Sequence, residues 1–365
     1  MMKKMKFVHI ADMHFDSPFI NLSDREIFGD LKRLEQRKVF KKVIEYIKEN
    51  KIEYLFISGD LYEHKFVKLS TIEYINNLFK EIPETRIFIS PGNHDPYLKN
   101  SYYNQYTWNE NVKIFTSKIE KVQTSEANIY GFGFYDFYCT GCGLENIEIK
   151  DKEKLNILVI HGTLNGASLE EKQYNSISKK ELKEKSFDYV ALGHIHKLDY
   201  NTEEKQNIVY PGSTVSLGFD ELGQHGMIVG SLEKNKLDLQ FVPLDESFFV
   251  EKEIDVTNII SKEELIEKIN SVEIADNEFS KIILIGKRNF EIDAYELYKL
   301  IFNERIIKIK NKTKINYDLS KLENNKTLKG LFAKKMNEKL NQENISEEQK
   351  NIIEKAVEIG LEALE

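Results

Sequence analysis

Cysteine is scarce in this chain, with two in 365 residues, and long apolar runs are missing altogether. Two cysteines exclude a disulfide framework and the small secreted scaffolds that depend on one. They form a single "CTGC" pair, Cys139 and Cys142, and one CxxC supplies only half of a tetrahedral zinc site. The first apolar stretch, in "MMKKMKFVHIADMH", is cut short at Asp12, too early for a signal-peptide core. No other run approaches membrane-spanning length, so the expectation is a cytoplasmic protein with no membrane partner. Positive charge is not in excess either: 52 Lys and Arg stand against 60 Asp and Glu, a net charge of −8. The molecule as a whole therefore does not advertise nucleic-acid binding. Internal repeats and low-complexity linkers are absent as well.

The chain does hold local contrasts. Residues 301–340 carry 11 Lys and Arg against 4 Asp and Glu, and residues 341–365 carry 2 against 7. A basic segment followed by an acidic tail is either a solvated helix surface or a divided binding surface.

Short runs rich in Ile, Val, Phe and Tyr recur through the first two thirds: "KFVHIA", "YLFISG", "RIFISP", "NIYGFGF", "NILVIHG" and "YVALGHI". Their length and composition predict buried strands. Helical spacing of apolar residues over 37–50 and 70–81 predicts helices between them. Beyond residue 201 the pattern turns strand-rich, with "EKNK" as a hairpin loop. These elements predict an α/β domain over 1–247, with a sheet-on-sheet core and helices outside.

A small α/β module is expected over 248–315, in the order strand (249–256), helix (261–269), strand (281–285), helix (294–302), strand (305–309). Residues 316–365 read as two helices, 319–340 and 346–364, the second opened by a capping box of Ser346 and Gln349.

The strand ends carry the chemistry. The first delivers Asp12 and His14, the second Asp60 with Glu63 and His64 just beyond, and the third Asn93, His94 and Asp95. The fourth delivers His161, and the fifth, in "ALGHIHKL", His194 and His196. A single histidine after a strand is usually a surface or satisfied core residue. Five strand ends that all finish in metal-binding side chains are hard to explain that way, since ligands sit at the carboxyl ends of α/β strands.

Two carboxylates, several imidazoles and one amide oxygen, with no thiolate, suit two first-row divalent cations. Such a pair, about 3.5–4 Å apart, can activate water and clamp a phosphoryl oxygen. A carboxylate must bridge it, offering one oxygen to each ion, and Asp60 is the best-placed candidate. Gly59, Gly92, Gly162 and Gly193 give the backbone room to turn beside these residues. His9, inside the first strand, and His225, in a turn, read as structural. His64 is either a substrate contact or a bystander.

The ordered pattern "DxH … GD … GNHD … H … GHxH" over about 190 residues resembles the calcineurin-like metallophosphoesterase superfamily. The resemblance implies a four-layer α-β-β-α sandwich. It also implies one metal on Asp12, His14, Asp60 and His196 and another on Asp60, Asn93, His161 and His194. His94 would be a general acid over the phosphate, not a ligand, with Glu63 as its orienter. The expected cofactors are two divalent ions, Mn2+ first, with Fe2+ or Zn2+ as substitutes.

The run "GDLYEHK" lacks the arginine of the phosphoprotein phosphatases in this superfamily. "IADMHFDSPF", "SPGNHDPY" and "YPGS" resemble the SbcD-like DNA repair exonucleases instead. That branch implies a capping domain over 248–315 and a C-terminal helical hairpin that docks on an ABC-type coiled-coil ATPase (SbcC-like). It also implies DNA as substrate, and a homodimer. Two other readings stay open: a phosphodiesterase for small substrates such as cyclic nucleotides, and a scaffold subunit whose phosphoesterase site is incidental.

Overall fold

The computed structural model describes residues 4–19, 28–141, 143–164, 174–200, 206–342 and 345–364. It divides into two compact units, Met1–Phe249 and Val250–Glu365. In chain order the first unit opens with β1 (Met5–Ile10), α1 (Phe28–Asn50), β2 (Tyr54–Ile57), α2 (Leu69–Lys80) and β3 (Arg86–Ile89). It continues with α3 (Tyr102–Gln105), β4 (Val112–Ile114), β5 (Glu120–Gln123), β6 (Ala127–Phe132) and β7 (Leu155–His161). Next come a short ribbon of β8 (Thr163–Leu164) with β9 (Ser176–Ile177), then α4 (Lys179–Lys185), β10 (Tyr189–Gly193) and β11 (Ile208–Val209). A hairpin of β12 (Gly226–Glu233) and β13 (Lys236–Pro243) completes it, and β14 (Phe248–Asp255) leads into the second unit.

Two sheets result, one ordered β13-β12-β1-β2-β3-β4 and the other β11-β10-β7-β6-β5. Strands β1 to β4 pair in parallel, as do β6, β7, β10 and β11. Parallel strands covered on both faces should be apolar throughout, and every residue of β2, β6, β7 and β10 is buried. Phe7, Phe56 and Phe88 of the first sheet meet Ile129, Ile157 and Tyr189 of the second in one core. On its outer face the first sheet packs Val8, Leu55 and Ile87 against α1 and α2 through Val39, Phe40, Ile72 and Phe79. The second sheet buries Leu158 and Val190 with Leu182 of α4. The α/β sandwich expected from the sequence is thus present. The β12–β13 turn falls on Lys234 and Asn235, whose φ of 65° suits a tight hairpin.

Helix α1 departs from the expected 37–50, starting two turns earlier at Phe28. Its added turns bury Lys32, Glu35 and Gln36. Lys32 Nζ donates to Glu35 at 2.7 Å, and Gln36 Nε2 donates to the carbonyls of Met13 and His14. Polar residues facing inward hide a helical stripe from any reading of hydrophobic spacing.

The second unit holds a sheet ordered β14-β15-β17, from β15 (Glu278–Ile285) and β17 (Ile306–Asn311), with α5 (Lys262–Asn270) and α6 (Ala294–Lys299). A ribbon pairs β16 (Lys287–Arg288) with β18 (Lys314–Ile315). The helix expected over 319–340 is instead two, α7 (Leu319–Leu322) and α8 (Leu328–Leu340). Thr327 caps α8 by accepting from Gly330 N, and this local side-chain bond competes with helix continuation. Helix α6 stops three residues before the expected end. Helix α9 (Glu347–Glu362) begins with the expected Ser346/Gln349 capping box. No helix among the described residues is long and apolar enough to cross a membrane. Cys139 is buried, and Cys142 lies outside the described residues.

Candidate metal centre

The strand ends converge as the parallel topology requires. Backbone bonds join the turns: Asp12 N donates to Gly59 O at 3.1 Å and His14 N to Asp60 O at 2.9 Å. Asp12, His14, Asp60 and His194 all adopt positive φ, between 47° and 101°. Such conformations cost about 1–3 kcal/mol each for a non-glycine residue and cluster at functional sites. Gly59 (φ 90°) is needed twice over, because a Cβ there would fall 2.3 Å from the His161 ring.

Donor atoms of Asp12, His14 and His196 lie within 4.8 Å of one another, as do those of Asp12, Asp60 and His161 and those of His14, Asp60 and His94. Asn93 Oδ1 stands 2.9 Å from His161 Nε2 and 3.2 Å from His194 Nδ1. All seven side chains predicted as ligands are therefore brought together, in groups that overlap through Asp12, His14 and Asp60. One detail differs from expectation. Asp60 Oδ1 accepts the His94 backbone N–H at 2.8 Å, so a single oxygen, Oδ2, faces both His161 Nε2 (3.3 Å) and His14 Nε2 (3.8 Å). The carboxylate does not offer one oxygen to each side.

The hydrogen-bond partners decide what the imidazoles can do. His161 Nδ1 faces the Ser58 carbonyl at 2.8 Å, His14 Nδ1 faces Glu63 Oε1 at 2.7 Å, and His196 Nδ1 faces Glu221 Oε2 at 3.2 Å. Each partner only accepts, so each Nδ1 must carry a proton and each neutral ring presents a bare lone pair at Nε2. Two of those lone pairs, of His14 and His196, point at each other across 3.2 Å. A third, of His161, points at Asp60 and Asn93 oxygens. Acceptors facing acceptors in a buried site demand a cation between them, whether protons or metal ions.

Charge tells the same story. Burial opposes it, but the Asp60 and Asp12 carboxylates push His161 up to about 9, and Glu221 and Asp12 do the same for His196. Burial would raise Asp60, yet the surrounding imidazoles hold it well below the usual carboxylate range. His194 is pushed down to about 3, by burial first and then by His161, and stays a neutral donor. The donor set of imidazole, carboxylate and amide oxygen fits two divalent first-row cations.

Around this set, His94 is 45% exposed and its Nδ1 lies 3.0 Å from Glu63 Oε2. Glu63 thus touches His94 with one oxygen and His14 with the other. Burial works against ionisation, but these bonds hold it down to about 2. Glu221 was not foreseen from the sequence. It follows no strand and matches no motif, and only the fold brings it to His196, where it also accepts from Ser213 Oγ and Leu217 N.

Asp95 is fully buried and takes four donors: Asp60 N, Gly92 N, Leu61 N and the Tyr103 hydroxyl. His225 bonds Ser213, and His9 bonds Tyr189 and Ser58, both structural as expected. His64 donates its backbone N–H to His94 O, and its ring meets Phe137 edge-on.

A curated relative, the uncharacterized metallophosphoesterase YhaO of Bacillus subtilis (strain 168), is 27% identical over 271 residues, 70% of this chain. The chain spans 64% of that relative's length. Among solved structures, a predicted phosphoesterase of Streptococcus pneumoniae TIGR4 is 14% identical over 67% of this chain and 91% of its own, with a TM-score of 0.33. The purple acid phosphatase PPD1 of yellow lupin seeds is 11% identical over 67% of this chain and 53% of its own, with a TM-score of 0.39. Residues 5–198 match the calcineurin-like phosphoesterase family, and that stretch holds every one of the converging ligand side chains. It is more than half of the protein, which therefore belongs to the calcineurin-like phosphoesterase family.

Proposed function

We propose that the protein is a dinuclear-metal phosphodiesterase acting on DNA, an SbcD-like nuclease directed to strand ends. The observation that carries the hydrolytic part is the convergence of seven ligand side chains beside an exposed imidazole backed by a carboxylate. When bound, two divalent cations, Mn2+ by preference, supply an activated water and neutralise the phosphoryl oxygens. The chain's own residues do the rest. Asp12, His14, Asp60 and His196 hold one ion, and Asp60, Asn93, His161 and His194 the other. His94 donates through Nδ1 to Glu63, which leaves Nε2 to protonate the departing sugar oxygen. Glu63 sets His94 and His14 from the same carboxylate, so acid and ligand keep a fixed spacing.

Support for DNA comes from the "GDLYEHK" run, which has no phosphate-gripping arginine for a phosphoprotein, and from the second compact unit with its basic 301–340 segment. A small substrate needs no such unit. In this reading 248–315 is a capping domain, 316–365 the docking segment for an ABC-type coiled-coil ATPase, and the protein a cytoplasmic homodimer. Leu328, Leu331, Ile352 and Ile359, exposed on α8 and α9, support the docking role.

The test is digestion of end-labelled DNA with Mn2+, with His94→Ala as control. Progressive shortening by the wild type and none by the variant is expected. Intact DNA alongside rapid hydrolysis of bis-p-nitrophenyl phosphate would replace this reading with the small-substrate one.

A further inference from the structure

The buried apolar stripe of α1, with Phe40, Val43 and Ile47, runs back one turn to position 36, where its spacing calls for another hydrophobe. The chain has a fully buried glutamine there. Gln36 Nε2 donates to Met13 O at 2.8 Å and to His14 O at 2.7 Å. Both partners are carbonyls, which only accept, so the amide must turn its nitrogen toward them. Its own oxygen, Oε1, is buried and meets no donor among the described residues. A buried acceptor left unmet is costly, and an aliphatic side chain would have avoided that cost. Packing therefore does not account for this amide, whereas two held carbonyls do.

Those carbonyls belong to a strained turn. Asp12 (φ 51°), His14 (47°) and Asp16 (62°) are all left-handed. Residues other than glycine keep that conformation only where their surroundings over-determine it. On one side the main chain does so, with Asp12 N, His14 N and Phe15 N donating to Gly59 O, Asp60 O and Leu61 O. On the other side α1 grips the turn with side chains. Besides the two Gln36 bonds, Arg37 donates to Asp16 Oδ1 at 3.0 Å and Arg33 to Ser17 O at 3.2 Å. Of these three residues, only Gln36 bonds His14 itself. Glu63 fixes the His14 ring through Nδ1, and Gln36 fixes the main chain that carries the ring.

We infer that Gln36 is a positioning residue of the metal centre. It clamps the turn of residues 12–16 so that the Asp12 and His14 donors face the cation they share with His196. The inference rests on the two-metal reading and goes beyond it, and it holds whether or not DNA is the substrate. Without the clamp the strained turn relaxes, and His14 Nε2 leaves its place 3.2 Å from His196 Nε2.

The experiment titrates the metal-free full chain with Mn2+ by calorimetry and compares the wild type with Gln36→Met and Gln36→Glu. Methionine keeps the length of the side chain and loses both donors. Glutamate keeps its shape and loses at least one donor, so it carries the test if the methionine variant does not fold. Asn76→Leu is the control, because Asn76 is a buried amide on α2 that accepts from Asn109 N and bonds no part of the metal turn. In the Gln36 variants the site of Asp12, His14 and His196 should bind Mn2+ roughly 10- to 100-fold more weakly, the loss that follows removal of a metal ligand's outer partner. The site of Asn93, His161 and His194 should keep its affinity. Asn76→Leu should lower the melting temperature and leave both affinities unchanged.

Unchanged affinity of both sites in the Gln36 variants, or equal weakening of both, would overturn the positioning role while leaving the two-metal reading in place. So would the same site-selective loss in Asn76→Leu. A wild type that takes up no Mn2+ would remove the metal reading and the positioning role together.

Discussion

Glu221→Gln isolates a residue outside the proposed ligand set that meets that set through His196. The carboxylate fixes the His196 tautomer by accepting from Nδ1 at 3.2 Å. Burial disfavours its charge, but the bond to His196 holds its ionisation below the ordinary range. A glutamine keeps the size and can still accept from Leu217 N, but it removes the charge that makes the imidazole a strong donor. Carboxylates in this position typically contribute 10- to 100-fold in metal affinity, or about 1.4–2.7 kcal/mol.

Calorimetric titration of metal-free protein with Mn2+ should therefore show the site of Asp12, His14 and His196 weakened by that factor. The site of Asn93, His161 and His194, which Glu221 does not reach, should be unchanged. The thermal midpoint of the metal-free variant serves as the control for folding. Equal weakening of both sites with a lowered midpoint would show that Glu221 merely holds the 213–221 loop, and the positioning argument would fail.

Asp60→Ala should empty both sites together in a metal assay; loss of one ion alone rejects the assignment of Asp60 Oδ2 to both. His94→Ala should keep both ions and lose about 10²–10⁴ in turnover, and a metal-depleted variant would contradict its role as acid. Gly193→Ala places a Cβ 1.8 Å from the Ser58 carbonyl that orients His161, so it should lower stability by about 1–3 kcal/mol and weaken metal binding together; denaturant midpoints and metal titration check this. His9 is pushed down to about 3 by burial, so below pH 6.5 the unfolded chain takes up a proton that the folded one refuses. Between pH 7 and 5 this costs the wild type about 2 kcal/mol that His9→Gln should not lose; parallel loss in both, followed by urea unfolding at the two pH values, would refute it.

The ligand set was legible because five apolar runs each end in a donor, and strands buried on both faces made the runs themselves conspicuous as continuous apolar stretches. What escaped reading was polar and buried. Lys32, Glu35 and Gln36 face inward on α1, so the helix looked shorter than it is. Glu221 owes its place to a loop whose path follows no periodicity. The break between α7 and α8 turned on one cap, Thr327, in a stretch whose composition otherwise suits a continuous helix.

Asp95 lies outside the ligand groups, yet its carboxylate gathers the turn after β2, the turn after β3 and the Tyr103 hydroxyl into one knot. All four of those bonds are made by the polypeptide alone. The two turns that carry Asp60 and Asn93 are thus held by the chain's own bonds, and this part of the pocket should keep its shape when the ions are removed. Stripping and reloading the ions should for that reason be a local event, reversible without passing through the unfolded chain, and open to exchange with whichever divalent ion the surroundings provide.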